Sequence, residues 1–123
     1  MSRVVHFELV GENPDRMAKF YAETFGWKVQ KWEGPLDYWL VTTGEDGAPG
    51  INGGLGRRSS PDEQGTTNTL EVMDARAAVA AVEKNGGKVT LALHAIPGVG
   101  WQAYCADTEG NVFGIHQNDP NAK

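Results

Sequence analysis

The sequence predicts an α+β domain of two tandem βαβββ units, whose strands form a curved, mostly antiparallel sheet around a central cleft with the helices on its outer face. Three observations carry that expectation. Eight short segments have strand character, two stretches of helical period each follow the first strand of a set, and the two sets match each other in sequence. "FGWKV" matches "NGGKV" and "GINGGL" matches "GNVFGI", which sets Gly54 against Gly114. The first half unit covers about residues 4–57, an exposed linker about 58–66, and the second half unit about 67–117.

"RVVHFELV" alternates Val5, Phe7 and Leu9 with His6, Glu8 and Val10, so His6 and Glu8 share one face of a first strand. In "GENPDRMAKFYAETFGW", Asn13 can cap a helix, Pro14 suits its first turn, Met17, Phe20, Tyr21 and Phe25 form its apolar stripe, and Gly26 ends it. "WKVQKW", "YWLVTT" and "GINGGLG" follow as strands, divided by "EGPLD" and "GEDGAP". The order then restarts with "NTLEVMD" and a helix over "ARAAVAAVEKNGG". The strands "KVTLAL", "WQAYCAD" and "NVFGIHQ" complete it. Matching the first strands pairs Phe7 and Leu9 with Leu70 and Val72. His6 then falls opposite Thr69 and Glu8 opposite Glu71.

The chain has 123 residues, enough for one domain with a core of its own. A net charge of −5 and scattered basic residues argue against nucleic acid or an anionic membrane as partner. "MSRVVHFELV" lacks the pattern of a secretion signal and no apolar run approaches a membrane span, so the expected location is the cytoplasm. Cys105 is the single cysteine, in an apolar alternation that suits an inert strand residue. "GINGGLG" lacks the Lys-Ser or Lys-Thr of a phosphate loop, and no serine or cysteine stands at a G-x-S-x-G elbow.

The first strand "VVHFEL", "FYAETFGWKV", "NGGKV" and "IPGVGWQAYCADTEGNVFGIHQ", together with the duplication, resemble the vicinal oxygen chelate superfamily of glyoxalase, bleomycin-resistance and extradiol dioxygenase proteins. The resemblance implies a U-shaped cleft. In metal-dependent members it carries four ligands, one from the first and one from the last strand of each half. His6 matches the first of these, whereas Gly54 and Gly114 stand at the carboxylate positions and Thr67 or Thr69 at the second histidine. A glycine offers no side-chain donor, so the inherited metal site is expected to be absent and no cofactor is expected. The resemblance also implies antiparallel first and last strands, which would hold Glu71 and His116 on the order of 13 Å apart at 3.4 Å per residue. A site from His6, Glu8 and Glu71 remains the alternative for a divalent ion.

The leading expectation is a protein that binds a small flat or aromatic metabolite without metal, in space opened by Gly54 and Gly114. His6, Glu8, Trp39, Asn52, Thr69, Glu71, Trp101 and His116 would line it, with Tyr104 a further aromatic neighbour. The alternative is a lyase or isomerase that moves protons with His6, Glu8 and Glu71. A structural module with a vestigial pocket is a third class. "HAIPGVG" reads as a strand connection or as a lid, and a homodimer is the expected assembly.

Overall fold

The architecture comes from a computed structural model, which describes residues 1–63 and 65–123; Gln64, in the expected linker, lies outside the described residues. The chain forms two compact units, one of residues 6–66 and one of residues 67–123 together with 1–5. The first contains β1 (Arg3–Gly11, most of it), α1 (Pro14–Phe25), β2 (Lys28–Lys31), β3 (Tyr38–Thr42) and β4 (Asn52–Arg57). The second contains β5 (Thr66–Glu71), α2 (Ala75–Lys84), β6 (Lys88–Ile96), β7 (Gly100–Ala106) and β8 (Val112–Asn118). Each is a βαβββ unit, as the repeat predicts.

Strand order is β2-β3-β4-β1 in the first unit and β5-β8-β7-β6 in the second. The last three strands of each unit pair antiparallel in sequence, but the first and last strands run parallel: β1 with β4, and β5 with β8. The helix is the reason. A strand followed by a helical crossover returns in its own direction.

Alternation then separates two faces in each unit. On one face of the first unit Trp39, Val41 and Leu55 are buried, and Phe7, Leu9, Met17, Ala18, Trp27 and Val29 pack on them. α1 is held over this face by its ends. Asn13 Oδ1 accepts the Arg16 N–H at 3.0 Å, and Gly26 closes the helix at φ 76°, a left-handed backbone that glycine adopts without strain. Met17 and Tyr21 serve this packing, Tyr21 by stacking on Trp27 with centroids 4.6 Å apart. The expected stripe is too wide, because Phe20 and Phe25 are exposed.

In the second unit Ala75, Cys105 and Ile115 are buried, with Val72, Val79, Val82, Leu93, Trp101 and Phe113 against them. Asp74 caps α2 by accepting the Ala77 N–H at 3.0 Å. The connection "HAIPGVG" is tied down: Val99 N donates to Ile96 O at 2.9 Å, Asp119 N to Val99 O at 3.0 Å, and Gly98 N to Ala122 O at 3.0 Å. This anchored hairpin turn favours the plain connection over a lid. No helix among the described residues is long and apolar enough to cross a membrane.

Candidate functional site

The face opposite each helix carries the polar residues. In the first unit His6 pairs with Asn52 and Glu8 with Gly54 along the parallel ladder, and Leu40 pairs with Gly54 from the other side. In the second unit Thr69 pairs with Gly114 and Glu71 with His116, while Tyr104 and Gln102 face Gly114 and His116 from β7.

This register corrects the match between the two first strands. Leu9 stands beside Leu55 as Leu70 stands beside Ile115, so the counterpart of Glu8 is Thr69, and that of Glu71 is Val10. The caps agree, since Asn13 follows Leu9 at the same distance as Asp74 follows Leu70. Glu8 and Glu71 are therefore not equivalent carboxylates. The expected separation of Glu71 and His116 fails for the same reason. Parallel strands advance together, and the two residues are direct neighbours.

Gly54 and Gly114 are packed against, rather than open. A Cβ on Gly54 would overlap the Tyr38 hydroxyl, which itself bonds His6 Nε2 at 2.7 Å. A Cβ on Gly114 would lie 2.8 Å from Thr69 Oγ1 and 3.1 Å from Gln102 Nε2, and Gln102 Oε1 faces His116 Nδ1 at 2.8 Å. Tyr38 and Gln102 hold equivalent places, each opposite the residue two beyond its glycine. In both units, then, a long polar side chain from the neighbouring strand fills the space a glycine vacates and ends on a histidine. The space expected there for a ligand against the backbone is used internally.

His116 is the centre of the longer network. Its Nε2 donates to Asn118 Oδ1 at 3.1 Å, and Asn118 Nδ2 donates to Glu71 Oε2 at 3.1 Å, so the imidazole reaches a carboxylate through one amide. Gln102 is buried and His116 half-buried, while Glu71 and Asn118 are exposed at the outer end. Thr69 is buried, and its Oγ1 has no hydrogen-bond partner among the described residues. Tyr104 lies half-buried beside Gly114 and offers a ring edge there.

Two expected lining residues belong elsewhere, and a third is engaged by a neighbouring loop. Trp39 is 6% exposed in the helix-side core, where its phase matches Val41. Trp101 shares the phase of Cys105 and packs on the helix side too. Asn52 lies on the polar face, but its Oδ1 accepts the Thr43 N–H at 2.9 Å and so braces the β3–β4 connection. Tyr38, Gln102 and Asn118 are the residues that sequence reasoning missed. Gln102 and Tyr104 were legible, since both alternate out of phase with the apolar Trp101, Ala103 and Cys105.

The residues present do not fit the ion that metal-dependent relatives hold. Two of the four positions at which the resemblance leads one to expect ligands are glycines, and a side chain at position 54 would collide with Tyr38. Among the described residues, no three His, Cys, Asp or Glu side chains converge as ion ligands.

Two βαβββ units, each carrying histidine-centred polar groups on the strand face its helix leaves uncovered, define a duplicated α+β scaffold. The chain belongs to the glyoxalase/bleomycin resistance protein/dioxygenase superfamily, whose family model matches residues 3–115. A glyoxylase-like domain-containing protein of Didymella fabae is 32% identical over 118 residues, with 88% of each chain covered. Among solved structures, a variant of Streptomyces coelicolor methylmalonyl-CoA epimerase in complex with 2-nitronate-propionyl-CoA aligns with a TM-score of 0.73 at 15% identity, covering 100% of this chain and 99% of that one. A superfamily member from Vibrio splendidus 12B01 aligns at 0.65 and 21% identity, covering 96% and 100%. These structural likenesses show the fold.

Proposed function

We propose that this protein binds a small, flat organic molecule through side-chain hydrogen bonds and aromatic contact on its polar strand faces, without the metal of its metal-dependent relatives. One observation carries the reading: beside both Gly54 and Gly114, where the resemblance implies carboxylates, a histidine is bonded to a long polar side chain, Tyr38 with His6 and Gln102 with His116. These groups exchange hydrogen bonds with carbonyl and hydroxyl oxygens rather than gather a cation. Glu8, Thr69 and Tyr104 complete the lining. The protein works in the cytoplasm as a homodimer, and the exposed aromatics Phe20 and Phe25 on α1 offer a surface for pairing.

Elemental analysis of the purified protein, followed by thermal melting with divalent ions and then with aromatic and carbonyl metabolites, tests this. The expected result is no stoichiometric metal, no shift with ions, and a ligand-induced rise in Tm that His116→Ala removes. Stoichiometric metal lost on His6→Ala would sink it.

A second reading is a lyase or isomerase, favoured by the Glu71–Asn118–His116 chain and by the likeness to an epimerase. There His116 would exchange a proton with the ligand, and Glu71 would stabilise the charged ring through Asn118. Turnover lost in His116→Gln with binding retained would decide for it.

A further inference from the structure

Trp101 and Gln117 are cross-strand partners whose side chains point to the helix side, away from the His116 network. With Met73, Asp74, Arg76 and Leu93 they line an open hollow of about 330 Å³ at the start of α2. The hollow exists because the helix is short. Ten helical residues of α2 span about 15 Å, whereas the nine residues of β6 span about 30 Å, so one end of the strand face lies uncovered.

Its floor is held in place. Trp101 Nε1 donates to Asp119 Oδ2 at 3.0 Å, and the Arg76 guanidinium carbon stands 6.0 Å from the indole centroid. An oxygen of each nearby acceptor side chain is already engaged, and the Asp74 carboxylate adds a negative charge at the rim. Asp74 Oδ1 takes the Ala77 N–H, Gln117 Oε1 takes the Ala75 N–H at 2.8 Å, and Asp119 Oδ1 takes the Asn121 N–H at 2.9 Å. The first turn of α2 is therefore capped and offers an anion little. What remains for a ligand is an indole face, apolar walls from Leu93 and Met73, the Gln117 amide N–H, and a guanidinium that makes no ion pair among the described residues.

We propose that this hollow is a second binding site, for a planar aromatic carboxylate whose ring rests on Trp101 and whose carboxylate takes the Arg76 fork. A flat ring suits the indole, and a carboxylate matches the two parallel N–H groups of a guanidinium. The volume suits a one- or two-ring molecule. The site does not depend on the function proposed above, because its residues occupy the other strand face.

Benzoate and indole-3-carboxylate, titrated into the full chain by saturation-transfer NMR, are the probes. Saturable binding is expected, weakened at least about tenfold by Arg76→Gln, the loss of one charge-assisted contact. Arg76 is exposed, so this variant should melt like the parent protein. Trp101→Leu should abolish binding, and His116→Ala should leave it unchanged. Absence of saturable binding by both probes, equal affinity in Arg76→Gln, or loss of binding in His116→Ala would each overturn the proposal.

Discussion

Glu71 and His116 stand directly opposite each other on the parallel β5–β8 ladder, and Asn118 bridges them with one hydrogen bond to each. The amide orders the pair, because its N–H group faces the carboxylate and its oxygen faces the ring. Coupling should therefore pass through Asn118. A double-mutant cycle of Glu71→Gln and His116→Gln, read from urea unfolding, is expected to give about 0.5–1 kcal/mol, small because Glu71 is exposed. In an Asn118→Ala background the coupling should vanish. Persistence there would mean the two groups interact without the bridge.

Gly54 is required by Tyr38. Its Cβ would occupy the space of the phenol hydroxyl, so Gly54→Ala should displace Tyr38, break its bond to His6 and cost about 1–3 kcal/mol. Gly114→Ala should cost less, since its nearest conflict, Thr69 Oγ1 at 2.8 Å, is a shallower overlap. Combining Gly54→Ala with Tyr38→Ala tests the cause. If the alanine at position 54 is as harmful in that background, Tyr38 is not what it strikes.

The elements of the fold were readable because each has a local cause. Asn13 and Asp74 cap, Gly26 stops, and alternation marks the strands, all within a few residues. The site was less readable because it depends on pairing, which is not local. Taking the first and last strands as antiparallel moved Glu71 away from His116, and matching the first strands two residues out of register made Glu8 and Glu71 look equivalent. Trp101 was legible through its shared phase with Cys105, whereas Tyr38 was not. "DYWLV" places an apolar or aromatic residue on both faces, and only the register with Gly54 and Gly56 decides.

The β7–β8 turn should respond to acid. Asp107 accepts the side-chain amide of Asn111 at 3.0 Å and the backbone N–H groups of Asn111 and Glu109 at 2.9 Å, which hold its carboxyl below the ordinary 3.8. A lowered folded value favours the native state above 3.8, and the benefit fades as pH falls through the lowered value. Melting curves of the protein and of Asp107→Asn should therefore differ at pH 6, begin to approach each other near 3.8 and converge only below the lowered value. A gap that stays constant into strong acid would assign the effect to something other than charge.

Cys105 should be silent in the folded protein. It is fully buried, and burial followed by the charge of Glu83 pushes its thiol above the ordinary 9.0. Because the folded value is raised, native stability is undiminished below 9.0 and falls as pH rises past it. Alkylation by iodoacetamide at pH 8 is expected only at the rate of global unfolding. Rapid labelling without unfolding would contradict the buried position.

The parallel pairing of first and last strands also fixes the order in which the polypeptide can assemble. Glu8 meets Gly54, and Thr69 meets Gly114, across more than a third of the chain, whereas the β6–β7 and β7–β8 hairpins join close neighbours. Closing so long a loop costs entropy before any contact repays it. Hairpins should thus form early and the contacts of the parallel ladders late, after the rate-limiting step. Stopped-flow measurements on Leu9→Ala and Leu70→Ala would show this as faster unfolding with little change in the folding rate.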